Sequence, residues 1–221
     1  MPPTRRRPAP RQAEADRNDR ELLRAAREVL AEDGAHASVA AIAARAGVGI
    51  GSLYRRYPTK DDLFRHLVDL SLDHWIAVLE AADAEEDAWT ALSVFLTRGL
   101  ESDSSGSLAP IAGTVEITPA MRAKNDRSEA MLTALVQRAH DAGVLRPDVS
   151  TSDMWALVEQ LTPAPMIEQL RKRGLADQLP AATAARRRVL AIVLDGLRAP
   201  GTPLPDAPPP KSVFDRRWET D

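Results

Sequence analysis

The sequence predicts an all-α protein in which a small N-terminal three-helix unit is carried by a larger helical body, and three observations lead there. Apolar residues recur at the i, i+4, i+7, i+8 spacing of helices along nearly the whole chain. Of 17 prolines, four fall in the first ten residues and six between Pro200 and Pro210, while only Pro58 occurs from Arg11 to Ala109. Long helices can therefore form in the middle, and the two ends read as an arm and a tail. The charge is uneven as well. Positions 1–66 carry 13 Lys and Arg against 9 Asp and Glu, positions 67–221 carry 16 against 23, and the net charge of −3 conceals the split. A length of 221 residues allows one large domain or two unequal ones.

Taken in order, Leu22, Ala26, Val29 and Leu30 form one apolar stripe that Gly34 ends, so a first helix is expected over 19–33. Ser38 is a natural N-cap for the Ala-rich stretch 39–46, and Gly47 is its C′ residue. A third short helix over 50–57 is closed by Pro58, because the residue before proline is pushed out of the helical region. Thr59, followed by Asp61 and Asp62, opens a long fourth helix that reaches about Ala82. Trp89, Leu92, Leu96 and Leu100 mark a fifth. The 102–107 stretch reads as a polar loop, and 111–118 is the only strand-like segment, with no second strand to pair with. Further helices are expected at 119–125, 129–142, 151–173 and 182–198. Ser150 and Asp153 supply a capping box, and Pro163 with Pro165 should split the 151–173 segment.

Several function classes are excluded on composition. Cysteine is absent, which removes disulfides, thiolate nucleophiles, Fe–S clusters and cysteine zinc sites and fits a reducing cytoplasm. The longest apolar runs, 39–44 and 189–194, have six residues. A membrane span needs about 18 and a signal-peptide core ~7–15, so a soluble cytoplasmic chain with no membrane partner is expected. The Gly47-x-Gly-x-Gly51 cluster follows a helix, whereas a phosphate loop follows a strand. No Gly-x-Ser-x-Gly elbow is present, and the histidines at 36, 66, 74 and 140 are scattered. His66 and His74 would lie about 12 Å apart along one helix, too far to share a metal. Asp83, Glu85, Glu86 and Asp87 read as acids compensating a helix dipole. No catalytic residue, metal or cofactor is expected.

The third short helix carries the chemistry. Two short helices around a glycine-bearing turn match a helix-turn-helix unit, whose last helix enters the major groove of DNA. Ser52, Tyr54 and Tyr57 offer hydroxyl donors, and Arg55 and Arg56 offer guanidinium forks suited to phosphates and the guanine edge. The run Ala41-Ile-Ala-Ala-Arg-Ala-Gly-Val48, continued by Gly49-Ile-Gly-Ser-Leu-Tyr-Arg-Arg-Tyr-Pro-Thr-Lys-Asp-Asp-Leu-Phe64, resembles the TetR family of transcriptional regulators over about 50 residues. The resemblance implies a homodimeric repressor that binds a palindromic operator and is released by a small molecule. It also implies that Ser38 caps its helix and bonds a phosphate, that Tyr54 and Lys60 hold the DNA backbone, and that Gly49, Ile50, Gly51, Ser52, Arg55 and Arg56 face bases or nearby phosphates. Position 49, commonly Ser in the family, is Gly here, so base readout falls more heavily on Ser52, Arg55, Arg56 and DNA shape. Arg17, Arg20, Arg24 and Arg27 add either a basic face or a solvated charged one. Arg5, Arg6, Arg7 and Arg11 form an arm suited to a minor groove or to non-specific attraction.

The organisation expected is thus a flexible basic arm at 1–15, a DNA-binding domain at 16–66, an effector and dimerisation domain at 67–199 and a Pro-rich tail at 200–221. In the body, Val189, Leu190, Ile192, Val193, Leu194 and Leu197 make the last helix apolar on two sides, so it needs both the body and a second subunit. An effector pocket would draw on Trp75, Trp89, Met131, His140, Trp155 and Glu159, with Phe95, Met121, Met154, Met166, Glu116 and Gln137 behind them, although Met and Trp at helical spacing also serve as core filling. The 213–218 stretch after the prolines can dock on the body, but a disordered end is expected. The competing functional reading is a helical ligand- or partner-binding module without specific DNA binding, against which Tyr54, Arg55, Arg56 and Lys60 argue.

Overall fold

The computed structural model describes residues 10–101, 108–162 and 164–218. In order these form α1 (Pro10–Asp33), α2 (Val39–Ala46), α3 (Ile50–Arg56), α4 (Lys60–Asp83), α5 (Ala88–Glu101), α6 (Pro119–Asp141), α7 (Thr151–Leu161), α8 (Pro165–Lys172), α9 (Leu179–Leu197) and a single turn, α10 (Ser212–Asp215). Among the described residues there is no strand. The 111–118 stretch instead completes one short 3-10 turn at Ala109–Ile111 and continues as irregular chain, because no second strand is available to pair with it. No helix among those described is long and apolar enough to cross a membrane.

Local signals set the element ends. Ser38 accepts a hydrogen bond from the Ala41 amide, and Gly47 closes α2 in the left-handed region at φ 68°. Thr59 with Asp62, and Ser150 with Asp153, form reciprocal capping boxes at the starts of α4 and α7.

Four expectations are corrected. The first helix begins at Pro10, so residues 10–15 of the expected arm belong to α1, where proline opens a helix with its φ already set; the Arg5–Arg7 arm and the 102–107 loop lie outside the described residues. The two helices expected at 119–125 and 129–142 are one, since Lys124 donates to Asp69 and Asp73, Arg127 to Glu80, and Ser128 to the Asn125 carbonyl, tying the polar middle of α6 to α4 and to its own backbone. The last long helix begins at Leu179, with Pro180 in its first turn. The 212–218 stretch is ordered against the body, for reasons given below.

Two apolar clusters form the core. The first joins Leu22, Val29 and Leu30 of α1, Ile42 of α2, Leu53 of α3 and Leu63, Phe64 and Leu67 of α4 to Leu108, Ile111, Val115 and Met121 of the body. The second joins the later half of α4, through Leu79 and Ala82, to Leu92, Phe95 and Leu96, Leu132 and Val136, Met154 and Leu190. Helix α4 is therefore a member of both, and at 24 residues it runs about 36 Å from the head into the body.

Candidate nucleic-acid interface and cavity

The outer face of α3 is open. Gly49, Ile50, Gly51, Ser52, Tyr54 and Arg55 are all exposed, and only Leu53 on this helix turns into the core. Gly49 opens the helix without a side-chain cap, in line with its lack of a hydroxyl. A Cβ on Gly51 would meet nothing within 4 Å, so the surface there is flat backbone. Arg55 donates to Ser52 Oγ at 2.8 Å, which places a fork and a hydroxyl together one turn apart. Ser38 is exposed at the start of α2, and the Lys60 ammonium lies 4.9 Å from the Phe64 ring centre at the start of α4.

Two residues of the expected reader have other tasks. Tyr57 is 8% exposed, its hydroxyl is buried with no hydrogen-bond partner among the described residues, and burial pushes the phenol up to about 12. It stacks on His66 with ring centres 4.9 Å apart. It is a core residue and offers no donor to DNA. Arg56 is half exposed but pairs with Asp19 of α1 at 2.8 Å, a bond that raises its pKa and ties the end of α3 to the first helix.

The basic face of α1 also divides. Arg17 and Arg20 are exposed, whereas Arg24 pairs with Glu21 and Glu28. Arg27 is 6% exposed and points inward, where burial pulls it down to about 10. The reading of 17, 20, 24 and 27 as one outward face passed over a signal for this, since 27 stands four after Leu23 and three before Leu30, both buried. Glu28 in turn receives Arg24, Arg45 of α2 at 3.1 Å and Arg171 of α8 at 3.5 Å, and Glu32 receives Arg45 and Lys172. The end of α8 thus reaches the head.

Between head and body lies a cavity of about 450 Å³. Helices α1, α4, α5, α6 and α7 all contribute to its wall, as do the 108–117 connection and the C-terminal segment. Arg27 reaches it from α1 and donates to Ser71 Oγ of α4 at 3.0 Å. His74 also lines it; burial, and then the Arg27 charge, pull that imidazole down to about 4, and its Nε2 has no hydrogen-bond partner among the described residues. Trp75 and Trp155 meet edge to face at 5.5 Å, and the Trp155 indole donates to Glu129 at 2.6 Å.

Of the residues expected to meet an effector, Trp75, Trp155 and Glu159 line this cavity, together with Met121. Trp89, Met131 and His140 do not: Trp89 lies under the Arg198 guanidinium at 4.0 Å, Met131 packs on the second core cluster, and His140 bonds the Arg146 carbonyl at 3.2 Å. Phe95 and Met154 are core, Met166, Glu116 and Gln137 are exposed away from the cavity, and the arginine and histidine at its wall were not foreseen as contacts. No group of three or more His, Cys, Asp or Glu among the described residues is placed to hold a metal ion.

An exposed helix α3 on a three-helix head, joined through one long helix to a helical body, is the arrangement of the helix-turn-helix class of DNA-binding proteins. Comparison with known proteins places the chain within that class. Residues 22–67 match the family model described as bacterial regulatory proteins, tetR family, and residues 86–199 match that of the Transcriptional regulator SbtR-like, C-terminal domain. The chain belongs to the TetR family and is a DNA-binding transcriptional regulator, not an enzyme. Similar solved structures include the TetR regulator SCO0520 from Streptomyces coelicolor, 28% identical with a TM-score of 0.50 over 81% of this chain and 98% of that one. A TetR regulatory protein from Mycobacterium vanbaalenii is 26% identical with a TM-score of 0.53, covering 86% and 100%. The regulator LfrR from Mycobacterium smegmatis, solved with proflavine, is 25% identical with a TM-score of 0.50, covering 86% and 99%. No curated protein matches the sequence.

Proposed function

We propose that this protein is a homodimeric repressor that occupies a palindromic operator in the cytoplasm and releases it when a small amphipathic molecule fills the cavity. The observation that carries the reading is the placement of the cavity, whose wall includes Arg27 of the head and Ser71, His74 and Trp75 of the helix that joins head to body. A ligand there touches both parts at once, which gives it differential affinity for head orientations, the requirement for any ligand-driven switch.

Base contacts are assigned to Ser52 and Arg55, backbone contacts to Ser38, Tyr54 and Lys60, and close approach to Gly49, Ile50 and Gly51. Dimerisation is assigned to α9, where Val189 and Ile192 remain exposed while Leu190 and Leu197 face the body. Two-fold symmetry then sets the two heads about 34 Å apart on successive major grooves.

Selection of bound sequences from a random DNA pool tests the reading. Enrichment of an inverted repeat is expected, and a pool that yields no palindrome at moderate salt would overturn it. On the selected site, Lys60→Ala should weaken all sequences alike and reduce the salt slope by about one unit. Proflavine, bound by the Mycobacterium smegmatis regulator, is a first effector probe, read as a thermal shift in the absence of DNA.

A further inference from the structure

We propose that residues 211–218 are a tethered, displaceable wall of the cavity, and that the molecule that displaces them carries a flat cation onto Glu159. This rests on reading the cavity as the effector site. Phe214, Arg217 and Trp218 form part of the cavity wall although they follow the last long helix by about fifteen residues or more. Arg217 pairs with Glu159 of α7 through two parallel bonds of 2.5 Å, the fork-on-carboxylate geometry that fixes orientation as well as charge. Its guanidinium carbon lies 5.7 Å from the Phe214 ring centre, and Trp218 packs on the first apolar cluster, which head and body share. A cation with an aromatic ring beside it thus sits on a carboxylate at the edge of a largely apolar chamber, which is how a bound organic cation would be held.

The segment is built to leave. Helix α10 is one turn, too short to persist without its contacts. Its tether is secured elsewhere: Arg146 binds Asp148 and the Thr202 carbonyl, and the Leu204 amide donates to Asp148 at 2.8 Å. Beyond that clip, residues 205–208 are exposed chain. Detaching 211–218 therefore breaks nothing in α9. A short tether keeps the segment at an effective concentration on the order of millimolar, so a free ligand must compete with it. Once it is gone, the described lining retains Asp126, Glu129 and Glu159 against Arg27 and Arg122, and Glu159 has lost its counter-ion. That balance favours a cation over an anion of equal shape.

Calorimetry without DNA tests this with three probes: the capped peptide of residues 211–218, 2-naphthamidine, and 2-naphthoate as its anionic counterpart. The chain ending at Pro210 should bind the peptide one to one, while the full chain does not. 2-Naphthamidine should bind the shortened chain about tenfold more tightly than the full chain, and Glu159→Gln should abolish that gain. Arg217→Ala in the full chain, a surface change that leaves the fold intact, should give a several-fold part of the same gain and serves if the shortened chain does not fold. Unchanged 2-naphthamidine affinity in Arg217→Ala, or an equal gain for 2-naphthoate, would overturn the proposal. A ligand that displaces the segment yet leaves operator binding intact would count against the effector reading and uphold the displaceable wall.

Discussion

Arg55 and Arg56 are neighbours with the same charge, and the fold gives them different partners. Arg55 leans on Ser52 on the open face of α3, while Arg56 turns back to Asp19. Arg55→Ala should cost ~1–3 kcal/mol of operator binding and relax one base position, read by sequence selection. Arg56→Ala should instead lower thermal stability by about 0–1 kcal/mol, the worth of a half-exposed pair, with a smaller change in sequence preference. His74 gives a pH signature. Its folded pKa is depressed to about 4, so between the ordinary histidine value near 6.5 and that point the unfolded chain binds the extra proton. Stability should therefore fall as pH drops through that window, by on the order of 2–3 kcal/mol, and be unaffected by this group above it. Denaturant titrations of the protein and of His74→Gln should diverge across that range and run parallel above pH 7. Tyr57 was misread from sequence because a tyrosine at the end of a recognition helix has the same local pattern whether its ring points out or in. His66, which it stacks on, lies in the next helix.

Helix boundaries were largely legible because caps act over three or four residues, as at Ser38, Thr59 and Ser150. Helix α6 was not, since 125–128 reads Asn-Asp-Arg-Ser, a weak helical stretch, and what carries the helix across it is α4: Asp69, Asp73 and Glu80 meet Lys124 and Arg127. The contact between α4 and α5 supplies a sharper test. A Cβ on Gly99 would stand 2.5 Å from the Trp75 ring, so that glycine is what lets the indole lie against α5 at the cavity wall. Gly99→Ala should cost ~1–3 kcal/mol through overpacking and shift tryptophan fluorescence, as Trp75 is forced aside.

At the scale of the whole molecule, the described residues tie head to body through α4, through the 108–121 connection that completes the head core, through Trp218 on that same cluster, and through Arg171 and Lys172 of α8 on Glu28 and Glu32. The proposed dimer adds a further constraint. Ile192 is 68% exposed on α9, and Ile192→Glu should shift the protein to monomer in sedimentation and weaken operator binding, while leaving the monomer folded. The amino-acid sequence by itself determined the helical class, the basic reader on an acidic body, the caps and the α2–α3 motif, because each is written in spacings of a few residues. Only the tertiary structure decided that Arg27 faces a cavity, that Tyr57 is core, that Arg56 answers Asp19 and that Arg217 answers Glu159. Those pairs are 37 and 58 positions apart, and no local periodicity records which distant carboxylate a guanidinium will meet once the helices have packed.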